Sequence, residues 1–236
     1  MIDLAISNDP ATLEILRRHP RVLNVEEGSS PDLEFRQGTW ARRVAVGQPN
    51  MESAGLMDQL DNNPLVCADE ASVPDCASTL ALIGLVPLIN AGILAEPPTV
   101  LVSFEADQPI LDAFLAKHHW PSGATLAATS LGLGTVCAAT VIAAIQTPEN
   151  LHDLDALYAE AYGRSFFVHR QEEGDWDVKA VAGTASALYR LRVAPDSPQS
   201  LLTILVMADR HGKCGAAQMV HCMNLMAGFE ESLGIA

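Results

Sequence analysis

The chain has 236 residues, 49% of them hydrophobic and 18% charged; with a mean hydropathy of +0.17 it holds enough apolar material for a large core and is neither disordered, collagenous nor a disulfide-stapled miniprotein. Fourteen Lys and Arg against twenty-nine Asp and Glu give a net charge of −15, which repels phosphate backbones and anionic bilayers, so neither nucleic acid nor membrane is an expected partner. Five cysteines, an odd count without a CxxC pair, make no disulfide framework and point to the reducing cytoplasm.

The first ten residues carry Asp3 and no basic group, unlike a secretory signal. Residues 2–6 read as a strand, Ser7-Asn8-Asp9-Pro10 as a turn and helix start, 11–18 as a helix ending before Pro20, and 21–25 as a second short strand. Residues 26–64 are polar with Gly and Pro punctuation and read mostly as loop with short strands. The stretch 77–94 is uncharged and reads as a helix apolar on all faces, hence buried. It and the uncharged stretch 118–148 have the length of a membrane span, but Gly84, Pro87, Asn90 and Gly92 interrupt the first and Pro121, Gly123, Gly132 and Gly134 the second. Both read as core elements. Strands follow at 99–104, 124–128 and 136–145, with a helix at 108–117. Thr147-Pro148-Glu149 opens a helix over 149–162, with Leu151, Leu154, Leu157, Tyr158 and Ala161 at helical spacing. Strands at 178–182, 187–193 and 201–208 and a helix at 214–229 complete the chain. The order predicts an α/β protein with a mostly antiparallel sheet in its C-terminal two thirds.

Cys76 is the first candidate for chemistry. It follows Pro74-Asp75 at the start of the apolar helix, where unpaired amides and the macrodipole favour a thiolate and can hold an oxyanion. A small buried hydrophobe opening a core helix is the structural alternative. Cys67, Cys137 and Cys222 read as core residues and His169 as a surface strand residue. His211, Cys214, His221 and Cys222 invite a zinc reading, but their spacing is not a standard ligand pattern, and no metal is expected.

Asp75-Cys76-Ala77-Ser78-Thr79-Leu80 with Leu85-Val86-Pro87-Leu88-Ile89-Asn90-Ala91-Gly92 resembles the nucleophile segment of the N-acetyl-gamma-glutamyl-phosphate reductases, within the semialdehyde dehydrogenases. The resemblance returns at Leu157 to Tyr162 with Phe167-Val168, at Lys179-Ala180-Val181-Ala182-Gly183, and at Asp209, Lys213-Cys214-Gly215-Ala216-Ala217-Gln218 and Met223 to Phe229. It implies a semialdehyde-dehydrogenase-type domain over 76–236 with a mixed, largely antiparallel sheet, Cys76 as nucleophile, and Lys213 and Gln218 as substrate-binding residues. It also implies association of copies through that sheet. Residues 1–75 are then a remnant of a Rossmann-like domain plus loops. They hold no G-x-G-x-x-G, so no nicotinamide cofactor is expected and hydride transfer is not the expected chemistry.

Two further departures bear on the site. Where the family places a catalytic histidine this chain has Glu105-Ala106-Asp107-Gln108-Pro109, so Asp107 falls at its place, with His118 and His119 the next histidines downstream. A carboxylate repels a neighbouring thiolate, so the base is Asp107, His118 or His119. The family's basic residue for acyl phosphate is replaced by uncharged Ser130-Leu131-Gly132-Leu133-Gly134.

Three readings remain open. In the first, Cys76 forms an acyl-thioester with a small activated amino-acid-like substrate, resolved by water or an amine. In the second, the chain is a non-catalytic binding or partner subunit of a full-length reductase. The third is a dehydrogenase whose cofactor domain comes from another chain. A homo-oligomer is expected, and a carrier protein is a further partner, for which Arg36, Arg42 and Arg43 are the only early basic cluster.

Overall fold

A computed structural model describes residues 1–60, 62–150 and 152–235. It contains two six-stranded mixed sheets. The first begins with β1 (Leu4–Ser7), α1 (Pro10–Arg18) and β2 (Val25–Glu27), a βαβ unit with β1 and β2 parallel. Asp9 caps α1 through Thr12, so the helix starts where the sequence places it. The stretch read mostly as loop instead supplies β3 (Leu33–Gln37), β4 (Trp40–Val46), β5 (Ser53–Ala54), a 3-10 turn at Met57–Gln59 and α2 (Asn62–Cys67). With β6 (Glu70–Val73), which the sequence reading lacked, the order is β2-β1-β3-β4-β6-β5. Leu33, Phe35 and Val44 face the core, while Glu34, Arg36 and Arg43 alternate outward.

The second sheet has the order β10-β11-β12-β9-β7-β8, built from β7 (Thr99–Val102), β8 (Thr125–Ala128), β9 (Val136–Gln146), β10 (Val168–Arg170), β11 (Ala187–Ala194) and β12 (Gln199–Asp209). Its three central pairings are antiparallel and its two outermost are parallel. The mixed, largely antiparallel sheet expected from the sequence is therefore present. The stretch 178–182 is not a strand in it: Val178–Ala180 forms a 3-10 turn, with Asp177 accepting from Lys179 N–H. Three helices lie with this sheet: α3 (Cys76–Asn90), α4 (Gln108–Lys117) and α5 (His152–Tyr162). The last begins later than predicted, and Leu151 lies outside the described residues. The closing helix, α6 (Ala216–Met226), returns to pack on α1, α2, β4 and β6 of the first sheet. Among the described residues no helix is long and apolar enough to cross a membrane.

The central helix α3 is buried from Ala77 to Leu88. Gly84 lets it approach the sheet: a Cβ there would stand 3.3 Å from Val141 and 3.5 Å from Ile204. Pro87 lies inside the helix and cannot donate to the Ile83 carbonyl. The hydroxyls of two α5 tyrosines, one turn apart, repair the break: Tyr162 donates to Ile83 O at 3.0 Å and Tyr158 to Gly84 O. Both rings are buried.

Two polar contacts tie the halves together. Lys213, 1% exposed, pairs with buried Asp58 beside the Phe167 ring. Burial alone would raise the Asp58 carboxyl, but Lys213, His221 and the Ser165 hydroxyl hold it below its ordinary value. The other contact is His118, the C-cap of α4, whose Nε2 accepts from Leu56 N–H at 3.4 Å. Burial, with the neighbouring His119 and Lys117 charges, lowers this imidazole to about 4.

Two predictions follow from these contacts. Tyr162→Phe leaves the Ile83 carbonyl buried without its hydroxyl donor and should cost about 1–3 kcal/mol in urea unfolding. Between pH 6.5 and about 4 the unfolded chain takes up a proton that folded His118 refuses. Its stability contribution is therefore full above that window and is lost as the pH falls through it. His118→Gln keeps an acceptor for Leu56, so its own loss between about pH 7 and about pH 4.5 should be smaller by up to ~3 kcal/mol, read from urea midpoints at both values.

Candidate active site

Strand β6 delivers the chain through Pro74-Asp75 into α3, so Cys76 stands at the seam between the two sheets as the first residue of the helix. It is partly buried. Asp75 is the N-cap: its carboxylate accepts from Ser78 N–H at 3.2 Å and also bonds the Ala77 amide. Those two amides are therefore already committed, which leaves fewer first-turn donors for an oxyanion than the sequence reading implied. Burial, with the nearby Asp107 charge, raises the Asp75 carboxyl.

Two other cysteines meet Cys76. Cys137 lies near the start of β9, paired across the ladder with Ala208 of β12, and faces the core. Cys214 follows the end of β12, with its Sγ 4.0 Å from Cys76 O. The three thiols influence one another's ionisation, and Arg210 acts on Cys137. Burial pushes the Cys76 and Cys214 thiols well up. The neighbouring Cys214 and Cys76 thiols, then Arg210, lower Cys137. Of the three sulfurs, Cys137 is thus the one on which negative charge is most favoured.

The segment between β12 and α6 is held by Asp209, which accepts from Thr135 Oγ1 at 2.6 Å and from Gly183 and His211 N–H at 2.8 Å. Gln218, in the first turn of α6, bonds Thr79 Oγ1 at 3.0 Å and Pro74 O at 3.5 Å. The two helix starts are thereby clamped together. Gln218 Oε1 and Ser78 Oγ are buried without a partner among the described residues.

The other sequence candidates fall as follows. Asp107 is exposed, caps α4, and acts electrostatically on Asp75. His118 is committed to Leu56, and exposed His119 ends α4 with a positive φ of 67°. The Lys213 ammonium is buried in its pair with Asp58. Cys222 is fully buried and His169 is an exposed strand residue, whereas Cys67 is exposed and not part of the core. His221 faces Glu231 and the Phe167 ring, and among the described residues no cluster of three or more His, Cys, Asp or Glu is arranged to hold a metal. The early arginines make no free basic patch: Arg42 is buried over Trp40, and Arg43 bonds Asp32 and Glu70. Sequence reasoning missed Cys137 and Arg210 as site residues. Only the β9–β12 register, which sets Cys137 opposite Ala208, could have brought them together.

A nicotinamide cofactor, which the resemblance would bring in, is not fitted by the βαβ unit. The N-terminus of α1, where a pyrophosphate would dock, is filled by the Asp9 carboxylate, which accepts from Thr12 N at 2.8 Å and Thr12 Oγ1 at 2.6 Å. Clefts of 490 and 510 Å³ lie over β1, β3 and β4 and beside the C-terminal end of α3; Cys76 lines neither.

No protein-family model matches the chain. An N-acetyl-gamma-glutamyl-phosphate reductase of a Psychrobacter species is 40% identical over 84 residues, 35% of this chain and 23% of that protein. The Bacillus cereus reductase is 22% identical over 229 residues, 83% of this chain and 66% of its own length. The chain thus spans less than two thirds of the length of these relatives. Aspartate semialdehyde dehydrogenase II of Vibrio cholerae, solved with ASA, superposes with a TM-score of 0.68 at 13% identity over 97% of this chain and 98% of that one, which shows a shared fold. By sequence this chain is a distant relative of the N-acetyl-gamma-glutamyl-phosphate reductases, and its fold is that of aspartate semialdehyde dehydrogenase II.

Proposed function

We propose that Cys76 forms an acyl-thioester with a small, activated, amino-acid-like acyl substrate, and that water or an amine resolves it without hydride transfer. The observation that carries this reading is the partly buried Cys76 as the first residue of α3, with Cys214 Sγ 4.0 Å from its carbonyl oxygen and with Cys137 and Arg210 favouring negative charge nearby. As Cys76 attacks the acyl carbon, its proton passes in concert to the neighbouring Cys137 sulfur, so the step needs no histidine. The tetrahedral oxyanion forms beside two helix starts, with Cys76's own amide next to it. Asp107, on the rim through its influence on Asp75, is the carboxylate placed to take the proton of the incoming water.

A partner-subunit reading is favoured by different observations. Lys213 is already neutralised, the family's histidine position is an exposed helix cap, and the clefts of 490 and 510 Å³ are lined by other residues. The outer face of the second sheet, where Leu101, Thr140, Leu205, Ile142, Thr203 and Leu201 lie side by side, suits association with a second copy. Leu101 and Leu201 are 40% and 48% exposed there.

Intact mass after incubation with acyl phosphates and thioesters decides between these readings. One acyl group should appear on Cys76 and vanish in Cys76→Ser, and Cys137→Ser should acylate about 10²-fold more slowly. An unmodified Cys76 with every donor class defeats the enzyme reading. For association, light scattering should show a dimer that Leu101→Lys with Leu201→Lys converts to monomer; a dimer that persists places the interface elsewhere.

A further inference from the structure

The first sheet is covered on one side only. Helices α1, α2 and α6 pack against one another and against the side that carries Ala5, Leu33, Phe35 and Val44. On the other side Leu4 and Ile6 of β1, Glu34 and Arg36 of β3, and Ala41 and Arg43 of β4 line the open cleft of 490 Å³. The register sets them in two rows across the strands: Ile6, Glu34 and Arg43 in one, Leu4, Arg36 and Ala41 in the other. Arg43 is already bonded to Asp32 and Glu70. Glu34 and Arg36, both exposed, form no ion pair among the described residues.

An open sheet face can simply be solvated. This one differs in that its two rows complement each other. A two-fold axis lying across the strands, above Ala5 and Phe35, reverses the strand direction and lays each row over the opposite row of a second copy. Ile6 then meets the partner's Leu4, Glu34 the partner's Arg36, and Arg43 the small side chain of the partner's Ala41, each contact occurring twice. The charge distribution permits the approach. Residues 1–45 hold six basic and seven acidic groups in a chain of net charge −15, so this part is repelled least by its own copy. Asp69 and Glu70 at the rim are engaged by Trp40 Nε1 and Arg43.

We propose that the open face of the first sheet is an isologous contact between two copies of this chain, closed by reciprocal Glu34–Arg36 ion pairs around Leu4 and Ile6. It rests neither on the acyl-transfer reading nor on the second-sheet association, which uses Leu101 and Leu201. A standard interface has roughly 20–30 residues a side, and this face offers far fewer. It is therefore the weaker contact and forms at the higher concentration.

The test is sedimentation equilibrium of the full chain carrying Leu101→Lys and Leu201→Lys, which removes any contribution of the second sheet. A monomer–dimer equilibrium with a Kd on the order of 10⁻⁴ M is expected. Adding Glu34→Arg or Arg36→Glu alone sets like charges opposite each other and should weaken it at least about tenfold. Chains with both changes should dimerise again, and so should an equimolar mixture of the two single variants. A chain that stays monomeric at millimolar concentration, a dimer indifferent to either single change, or a mixture that does not recover overturns the proposal. The chain with Leu101 and Leu201 intact gives a second reading: at the highest concentration Glu34→Arg should halve the mass of its largest species, and an unchanged mass overturns the contact.

Discussion

An ionised sulfur buried in a protein persists only where donors replace the water it has lost. At the seam between the two sheets three groups favour the charged form of Cys137: the thiols of Cys214 and Cys76 and the Arg210 guanidinium. None of these is its neighbour in sequence. Each arrives by a different route: Cys76 through the turn out of β6, Cys214 and Arg210 through the segment leaving β12. Where negative charge is favoured is therefore a property of how the two sheets are joined, and in the proposed reaction Cys76 depends on that junction more than on its own helix. The Asp75 carboxylate, which caps the helix, consumes part of the donor capacity that a bare helix start would have offered.

The supporting contacts keep this junction narrow. Asp209 gathers three donors from separate segments and so fixes the backbone on which Arg210 and Cys214 sit. Gln218 ties the start of α6 to the start of α3, and beneath them the Lys213–Asp58 pair joins that loop to the 3-10 turn after β5. A buried ion pair adds little net stability over an apolar pair of the same volume, but losing one partner is costly. Its effect here is to permit one docking of the loop. A loop so fixed holds Cys214 Sγ 4.0 Å from the Cys76 carbonyl oxygen, where a mobile one would let it drift away.

What the sequence disclosed follows from which forces act locally. Helix α4 matches its predicted limits of 108 and 117 because Asp107, Pro109 and Lys117 supply its cap, first turn and end within ten residues. The buried helix α3 was legible because a long uncharged stretch has few other places to go. The first sheet was not: β3 and β4 carry charges on their open face and core residues on the other, so their composition looks like loop, and β5 and β6 are too short for a period to show. At 178–182, Val178 and Val181 suggested a strand, but Asp177 bonds forward to Lys179 and closes a turn instead. Cys76 could be read from its position at a helix start. Its partners could not, because alternation along β9 says only that Cys137 faces inward and nothing of what it meets there.

The same contrast separates what this chain shares with its relatives from what it does with the shared fold. At the βαβ unit, where a dinucleotide's phosphates would find an open helix start, the chain places Asp9 and satisfies the same amides with its own carboxylate. Fixed negative charge there opposes a pyrophosphate, while Arg210 and the shared thiol protons favour negative charge at Cys137. The two ends of the molecule are thus biased in opposite directions: away from a bound phosphate at one, toward an anionic sulfur at the other. Chemistry that begins and ends on sulfur agrees with both biases, whereas chemistry that needs a nicotinamide docked on α1 agrees with only one.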